Sequence, residues 1–188
     1  MMVGTVGGWM MHNGSHFFDL FRYFAGDAED VSATIVSSDG NDGHGSARVQ
    51  FTSGVVGLLD ARSTTEVHLS LLGEQGRITI DSTIPGYQLT TYAARTSTRP
   101  EDRAEWFHGA PCKERRVEHV AVEPAEGTMA TLIRDALACV ETRREPRSSG
   151  ADGAAALELA LAAFASSACG GVAVRLPLAE RELRVVSR

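Results

Sequence analysis

The sequence predicts an α+β fold, a mainly antiparallel β-sheet with helices packed on one face. Three observations carry that expectation. Short segments rich in β-branched and aromatic residues fill the middle of the chain, turn signals separate them at regular intervals, and helical periodicity is confined to the two ends. The 188 residues are enough for one domain, read as spanning 1–188, because a chain of this size buries about 70% of its unfolded surface.

Residues 9–25 read as the first helix. Phe17, Leu20, Phe21 and Phe24 recur at i, i+3, i+4 and i+7 and make one apolar stripe, with Gly26 as the C-terminal cap. The period then becomes that of strands, over 31–36, 47–51, 55–59, 67–71, 78–80, 87–92 and 117–122. Asp39-Gly40, Ser53-Gly54, Gly73 to Gly76 and Pro85-Gly86 supply the turns. Such spacing means hairpins, and hence antiparallel pairing. Residues 96–114 read as a long surface loop in which Trp106-Phe107 attaches to the core. Helical period returns over 128–141, where Leu132, Ile133, Ala136, Leu137 and Val140 share a face. It appears again over 152–168, with Leu157, Ala160, Leu161 and Phe164 inward, Ser149 or Asp152 as N-cap and Gly170-Gly171 as the stop. A last strand, 172–176, is closed by Pro177. Helices at the ends and hairpins between them give the layered arrangement.

Charge and composition exclude several functions. The net charge of −6 and the lack of an extended basic block exclude nucleic acid as a partner. Three widely spaced cysteines form neither a disulfide framework nor a clustered zinc site, which predicts a reducing, cytoplasmic setting. No apolar run is long enough to span a membrane, and no signal peptide is recognisable. Lys113 is the only lysine, so a mechanism that needs one has a single candidate. The glycines of "VGTVGG", residues 3–8, lack the G-x-G-x-x-G spacing and leave no room for a preceding strand. No cofactor site is therefore expected in this chain.

Three blocks resemble the Gfo/Idh/MocA oxidoreductases, within their C-terminal domain. "GGWMMHNGSHFFDLFRYFAGD" is similar to the family's double glycine followed by Asp-x-Gly-x-His-x-x-Asp-Leu. "LLGEQGRITID" resembles its sheet hairpin, and "TLIRDALACVETRREPRSSGADGAAALELALAAFASSACGGVAVRLP" its closing helix-helix-strand segment. The resemblance spans nearly the whole chain in the right order. It implies a domain that carries the substrate side of a redox site and dimerises through the open face of its sheet. The family's nucleotide-binding half and the lysine of its Glu-Lys-Pro motif have no counterpart, since Lys113 sits in "PCKERR". The family histidine falls on His16, and its aspartate falls on His12. The resemblance assigns such a histidine the task of moving a hydroxyl proton beside a nicotinamide.

On one helix over 9–25, His12, His16, Asp19 and Tyr23 lie at i, i+4, i+7 and i+11. The 100° helical step places them within about 60° of one another, about a third of a turn from the Phe stripe. This predicts His16 and His12 as the catalytic pair, with Asp19 and Tyr23 beside the substrate. Histidine suits the role because its pKa near about 6.5 leaves both protonation states available. A metal held by His12, His16 and Asp19 fits helical spacing, but no second acidic cluster supports it. His44, His68, His108 and His119 have no patterned partner and read as surface or structural groups, and Met10 and Met11 as core filler.

The leading expectation is a substrate-binding and dimerisation domain that gives an acid/base histidine to a sugar-like or hydroxy/carbonyl substrate. NAD(P) would enter only with a separate Rossmann-domain chain or segment. The rivals are a cofactor-independent lyase, isomerase or cyclase that uses the histidine pair, and a non-catalytic dimerisation module. Apolar residues at both parities in "VVGLLDA" and "VHLSLL" predict that both sheet faces are buried, the open one in a homodimer. The isolated chain should bind neither NAD(H) nor NADP(H), because no helix N-terminus after a strand is predicted to cradle phosphate. Micromolar affinity for either nucleotide in calorimetry would overturn this.

Overall fold

The computed structural model describes residues 1–37, 41–62, 67–94, 113–122, 127–179 and 185. In chain order the elements are β1 (Met2–Thr5), α1 (Gly14–Ala25), β2 (Ala28–Val36), β3 (His44–Phe51), β4 (Val56–Ala61), β5 (His68–Leu72), β6 (Gly76–Asp81), β7 (Tyr87–Ala94), β8 (Lys113–Val120), α2 (Thr128–Thr142), α3 (Gly150–Ala168) and β9 (Val174–Arg175). They build one nine-stranded sheet in the order β8-β7-β6-β5-β1-β4-β3-β2-β9. Every pairing is antiparallel except that of β1 with β4. The α+β class and the mainly antiparallel sheet are as predicted. Most of the expected long loop, with Trp106-Phe107 and His108, lies outside the described residues.

The central strand β1 corrects the expectation that residues 3–8 leave no room for a strand before the glycine pair, since Met2–Thr5 forms one although a glycine inside four residues reads weakly as a strand. Gly4 is there for packing. A Cβ on it would lie 2.3 Å from Phe17 Cδ1, and one on Gly57 of β4 would lie 2.7 Å from Phe21 Cδ2. The two glycines let α1 settle directly onto the sheet. Phe18, Phe21, Phe51, Met10 and Leu59 are fully buried around that contact.

Strand alternation sorts the two faces. Leu59, Ala47 and Val31 face the helices, while their neighbours Leu58, Arg48 and Ser32 share the open side. The expectation of two apolar faces is corrected here. In "VHLSLL" the open side receives His68, Ser70 and Leu72, and Ser70 links His68 Nε2 at 2.8 Å to Thr79 at 3.3 Å. The same side carries Asp60 and the Arg48–Asp30 ion pair at 3.9 Å, so polar groups predominate among its apolar ones.

Helix α3 begins on a capping box. Ser149 accepts from the Asp152 N–H at 3.2 Å, and Asp152 accepts in return from the Ser149 N–H at 2.8 Å. The Ser149 N–H, and then the Ser149 hydroxyl that donates to the same carboxylate at 2.8 Å, hold the Asp152 carboxyl below the ordinary carboxylate value, and Arg22 of α1 adds a smaller share. The buried face is rotated from the predicted one. Ala156, Leu159, Ala160 and Ala163 point inward, and Leu157 is 47% exposed. At its far end the Ser166 and Ser167 hydroxyls accept from Ala33 N–H and Ile35 N–H of β2, at 2.9 and 2.8 Å. They occupy the edge that the two-residue β9 leaves open.

Helix α2 departs further from expectation. Its apolar stripe exists, but Leu132, Ile133, Leu137 and Val140 are 54–79% exposed. Local periodicity identifies an amphipathic helix without naming what covers it.

The first helix starts five residues later than predicted. Residues 10–13 form a turn in which the Asn13 and Gly14 N–H groups both donate to the Trp9 carbonyl, at 2.9 and 3.1 Å. Asp42, only 2% exposed, accepts from Met11 N–H at 2.8 Å, His12 N–H at 2.9 Å and Gly43 N–H at 2.8 Å. Met10 N–H donates to the Gly43 carbonyl at 2.8 Å. These bonds fasten the turn to the segment before β3. Asp42→Ala would leave three donors without their acceptor and should cost about 2–3 kcal/mol. Asp42→Asn should lose less, because its oxygen can keep Met11 and Gly43 while its NH2 opposes His12 N–H. Urea unfolding with amide exchange at His12 measures both. Stability unchanged within about 0.5 kcal/mol in the alanine variant would show that the carboxylate does not hold the turn.

Candidate functional site

A cavity of about 800 Å³ opens between α1, the loop after β1 and the strands β5 and β6. Its size is within the range of small-molecule sites, roughly 300–1,000 Å³. Phe17, Leu20 and Phe24 wall it from α1, and Leu69 and Ile80 from the sheet. Its polar rim consists of Asn13, His16, Ser82 and the backbone of Gly7 and Gly8. His16 is the one titratable side chain among the described lining residues.

The local fold explains His16. It stands in the first turn of α1 and is exposed, while the next residue, Phe17, is buried on Gly4. The core face of α1 comprises Gly14, Phe17, Phe18, Phe21 and Ala25, rotated by about 60° from the predicted stripe at the 100° helical step. Leu20 and Phe24 consequently lie at the margin, 39% and 48% exposed, where they wall the cavity. His16 sits on the border between that wall and the polar side of the helix.

The four predicted site residues are not brought together. His12 belongs to the turn before α1, so the stripe of four is broken at its first member. Its side chain is exposed and outside the cavity lining, while its carbonyl accepts from the Ser15 hydroxyl at 3.0 Å. Asp19 and Tyr23 remain on α1 with His16, but on the flank away from the cavity, and Tyr23 is 81% exposed with its ring edge-on to Phe24. Among the described residues no group of three or more His, Cys, Asp or Glu side chains is placed to hold a metal ion.

The glycine loop is a feature that sequence reasoning missed. Gly8 has φ +100, the left-handed region, and a Cβ there would meet the Asn13 amide at 2.7 Å. The Asn13 side chain donates to the Gly7 carbonyl. His44 Nδ1 lies 2.7 Å from the Gly8 carbonyl, and its ring stacks on Trp9 at 4.2 Å. These contacts fix the rim facing His16. His44 is thus a structural group, and His68 is tied to Ser70 within the sheet. Only the glycine pair signalled the loop, since its partners come from distant segments.

Comparison with known proteins places this arrangement. No curated protein sequence matches the chain. Among solved structures, the WlbA dehydrogenase from Bordetella pertussis, in complex with NADH and UDP-GlcNAcA, superposes with a TM-score of 0.64 at 18% identity, over 95% of this chain and 54% of that one. A levoglucosan dehydrogenase in complex with NADH and L-sorbose gives 0.67 at 15% identity, over 94% and 58%. An oxidoreductase from Agrobacterium radiobacter, in complex with NAD+, L-tartaric acid and magnesium, gives 0.63 at 15%, over 93% and 56%. The chain therefore spans somewhat more than half the length of each, and the likeness shows a shared fold. The model of the oxidoreductase family C-terminal alpha/beta domain, GFO_IDH_MocA_C, matches residues 3–176, and the chain belongs to the Gfo/Idh/MocA oxidoreductase family through that domain.

Proposed function

We propose that this chain forms the substrate side of a Gfo/Idh/MocA-type oxidoreductase, with His16 as its acid/base group. The observation that carries this reading is the position of His16, exposed on the rim of the cavity beside α1, where it is the one titratable described residue. An imidazole can take a hydroxyl proton as an alcohol is oxidised and return it in the reverse direction. The apolar wall offers the substrate body a surface to lie on. A nicotinamide, when bound, supplies the hydride chemistry, and it would come with another polypeptide or segment. That part of the reading rests on the turn before α1. Although β1, the glycine loop and α1 follow one another as strand, turn and helix, the Met11 and His12 amides already hold the Asp42 carboxylate, which would repel a pyrophosphate. A catalytic histidine pair has less support, because His12 lies outside the cavity lining.

The small substrate would be held by one protomer of a homodimer. Among the described residues no helix covers the open face over β1, β4, β3 and β2, where Leu58 is 37% exposed and a shallow concavity of about 500 Å³ runs between Thr5, Ser32, Arg48 and Asp60. A wet, hydroxyl-rich contact between two such faces suits this composition.

His16→Ala should lower turnover by about 10²–10⁴ in any oxidation that the assembled enzyme supports. Its unfolding free energy should stay within about 0.5 kcal/mol of the parent, because an exposed side chain is removed. A loss of several kcal/mol, or undiminished turnover, would make His16 structural. For the dimer, light scattering at micromolar protein should give twice the chain mass, and a monomeric mass would count against the sheet contact.

A further inference from the structure

The lining of the His16 cavity is unusual for a site that would accept a free sugar. Its described residues include no Arg, Lys, Asp or Glu. Its polar side chains are Asn13 and His16, near the Gly7–Gly8 loop, and Ser82 on the strand side, whose hydroxyl accepts from the Val67 N–H at 3.2 Å. Asn13 donates one amide hydrogen to the Gly7 carbonyl. The N–H groups of Gly7 and Gly8 donate to no acceptor among the described residues. The remainder is hydrocarbon, and much of it is open to water. Leu20 is 39% exposed, Phe24 48%, Val67 42% and Ile80 41%. A contiguous apolar surface of this kind gains most from a ligand that covers it.

From this we infer that the cavity takes a secondary alcohol or ketone carried on an apolar ring or chain, rather than a free polyol or a nucleotide sugar. The inference rests on His16 being the acid/base group of the proposed function and narrows the substrate of that same site. A single oxygen placed at the polar end meets the imidazole and the glycine amides. The rest of the ligand lies on Phe24, Leu69 and Ile80. A cyclitol of the same ring size would carry hydroxyls around its whole edge, and those turned toward the hydrocarbon would lose water without finding a partner. A diphosphate would enter a lining without one described cation to meet its charge. The chemistry of the wall thus separates this chain from those solved relatives whose complexes contain UDP-GlcNAcA or L-sorbose.

The test is a set of NMR titrations of the full chain with 4-methylcyclohexanol, myo-inositol and UDP-N-acetylglucosamine. Leu and Ile methyl signals and the His16 imidazole, assigned with His16→Gln, are followed together. The alcohol should shift Leu20 and Ile80 methyls and the His16 ring with an affinity at least about tenfold above that for inositol, the penalty expected of one or more unpaired buried hydroxyls. Ile80→Thr, a strand-compatible change at a half-exposed position, and Leu20→Gln should each weaken the alcohol several-fold while leaving the far-UV spectrum unchanged. Equal or tighter binding of inositol or of the nucleotide sugar would overturn the inference, as would the absence of any shift with the alcohol. An alcohol that moves the wall methyls and leaves the His16 ring untouched supports the ligand class while removing His16 from the chemistry. A polyol that moves the His16 ring with an affinity equal to or above that of the alcohol preserves the proposed role of His16 and overturns the ligand class.

Discussion

The Asp42 carboxylate, buried with three backbone N–H donors around it, is the contact on which the geometry of the site depends. A helix that began at Trp9 would send the Met11 and His12 amides along its own axis as N-terminal donors, open to any anion. Asp42 instead supplies the anion from within the chain. The amides turn toward the strand segment, the helix begins at Gly14, and His12 is left in the preceding turn. One long-range interaction thereby decides that a single imidazole faces the cavity. It also sets the height of Asn13, whose amide holds the Gly7 carbonyl across from His16. A carboxylate with several hydrogen bonds is a stable way to fix such a turn, because each ionic contact is stronger than a neutral one.

This is also why the site was only partly legible in the sequence. The class of fold was readable because hairpin turns and β-branched alternation are local signals. The place of His16 at the start of an apolar helix was readable through the block around "GSHFFDL", which resembles the family's histidine block. The displacement of His12 was not, since nothing within the helix indicates that an aspartate thirty residues away will take its amides. Strand β1 was missed for a related reason. Its glycine lowers strand propensity, yet the strand is central because Phe17 needs the space that a side chain at Gly4 would fill.

The aromatic run of α1 serves two purposes that periodicity cannot separate. Phe17, Phe18 and Phe21 belong to the core, whereas Leu20 and Phe24 wall the cavity half-exposed. Viewed as an amphipathic pattern, all are simply apolar. Only the packing of the helix on two glycines distinguishes them, by fixing how far α1 is rotated. Helix α2 shows the same principle in the opposite direction, since its stripe satisfies every local criterion for a core face and remains largely exposed. Apolar periodicity predicts that a surface favours contact, and the identity of that contact belongs to the tertiary structure.

Close approach of α1 to the sheet is, finally, what gives the cavity its chemical asymmetry. With Phe17 seated over Gly4 and Phe21 over Gly57, the helix lies low above β1 and β4, and its next apolar residues reach sideways toward β5 and β6. Those strands present Leu69 and Ile80 on that side, while alternation sends His68, Ser70, Thr79 and Asp81 to the open face. The polar side chains that could have served a hydrophilic ligand are therefore on the far side of the sheet. What remains near the helix start is the short arc of Asn13, His16 and the glycine backbone. A slip of one residue in β5 or β6 would exchange the two sets and place hydroxyls against α1. Register, more than the presence of polar residues in these strands, determines that the imidazole stands at the edge of a hydrocarbon wall.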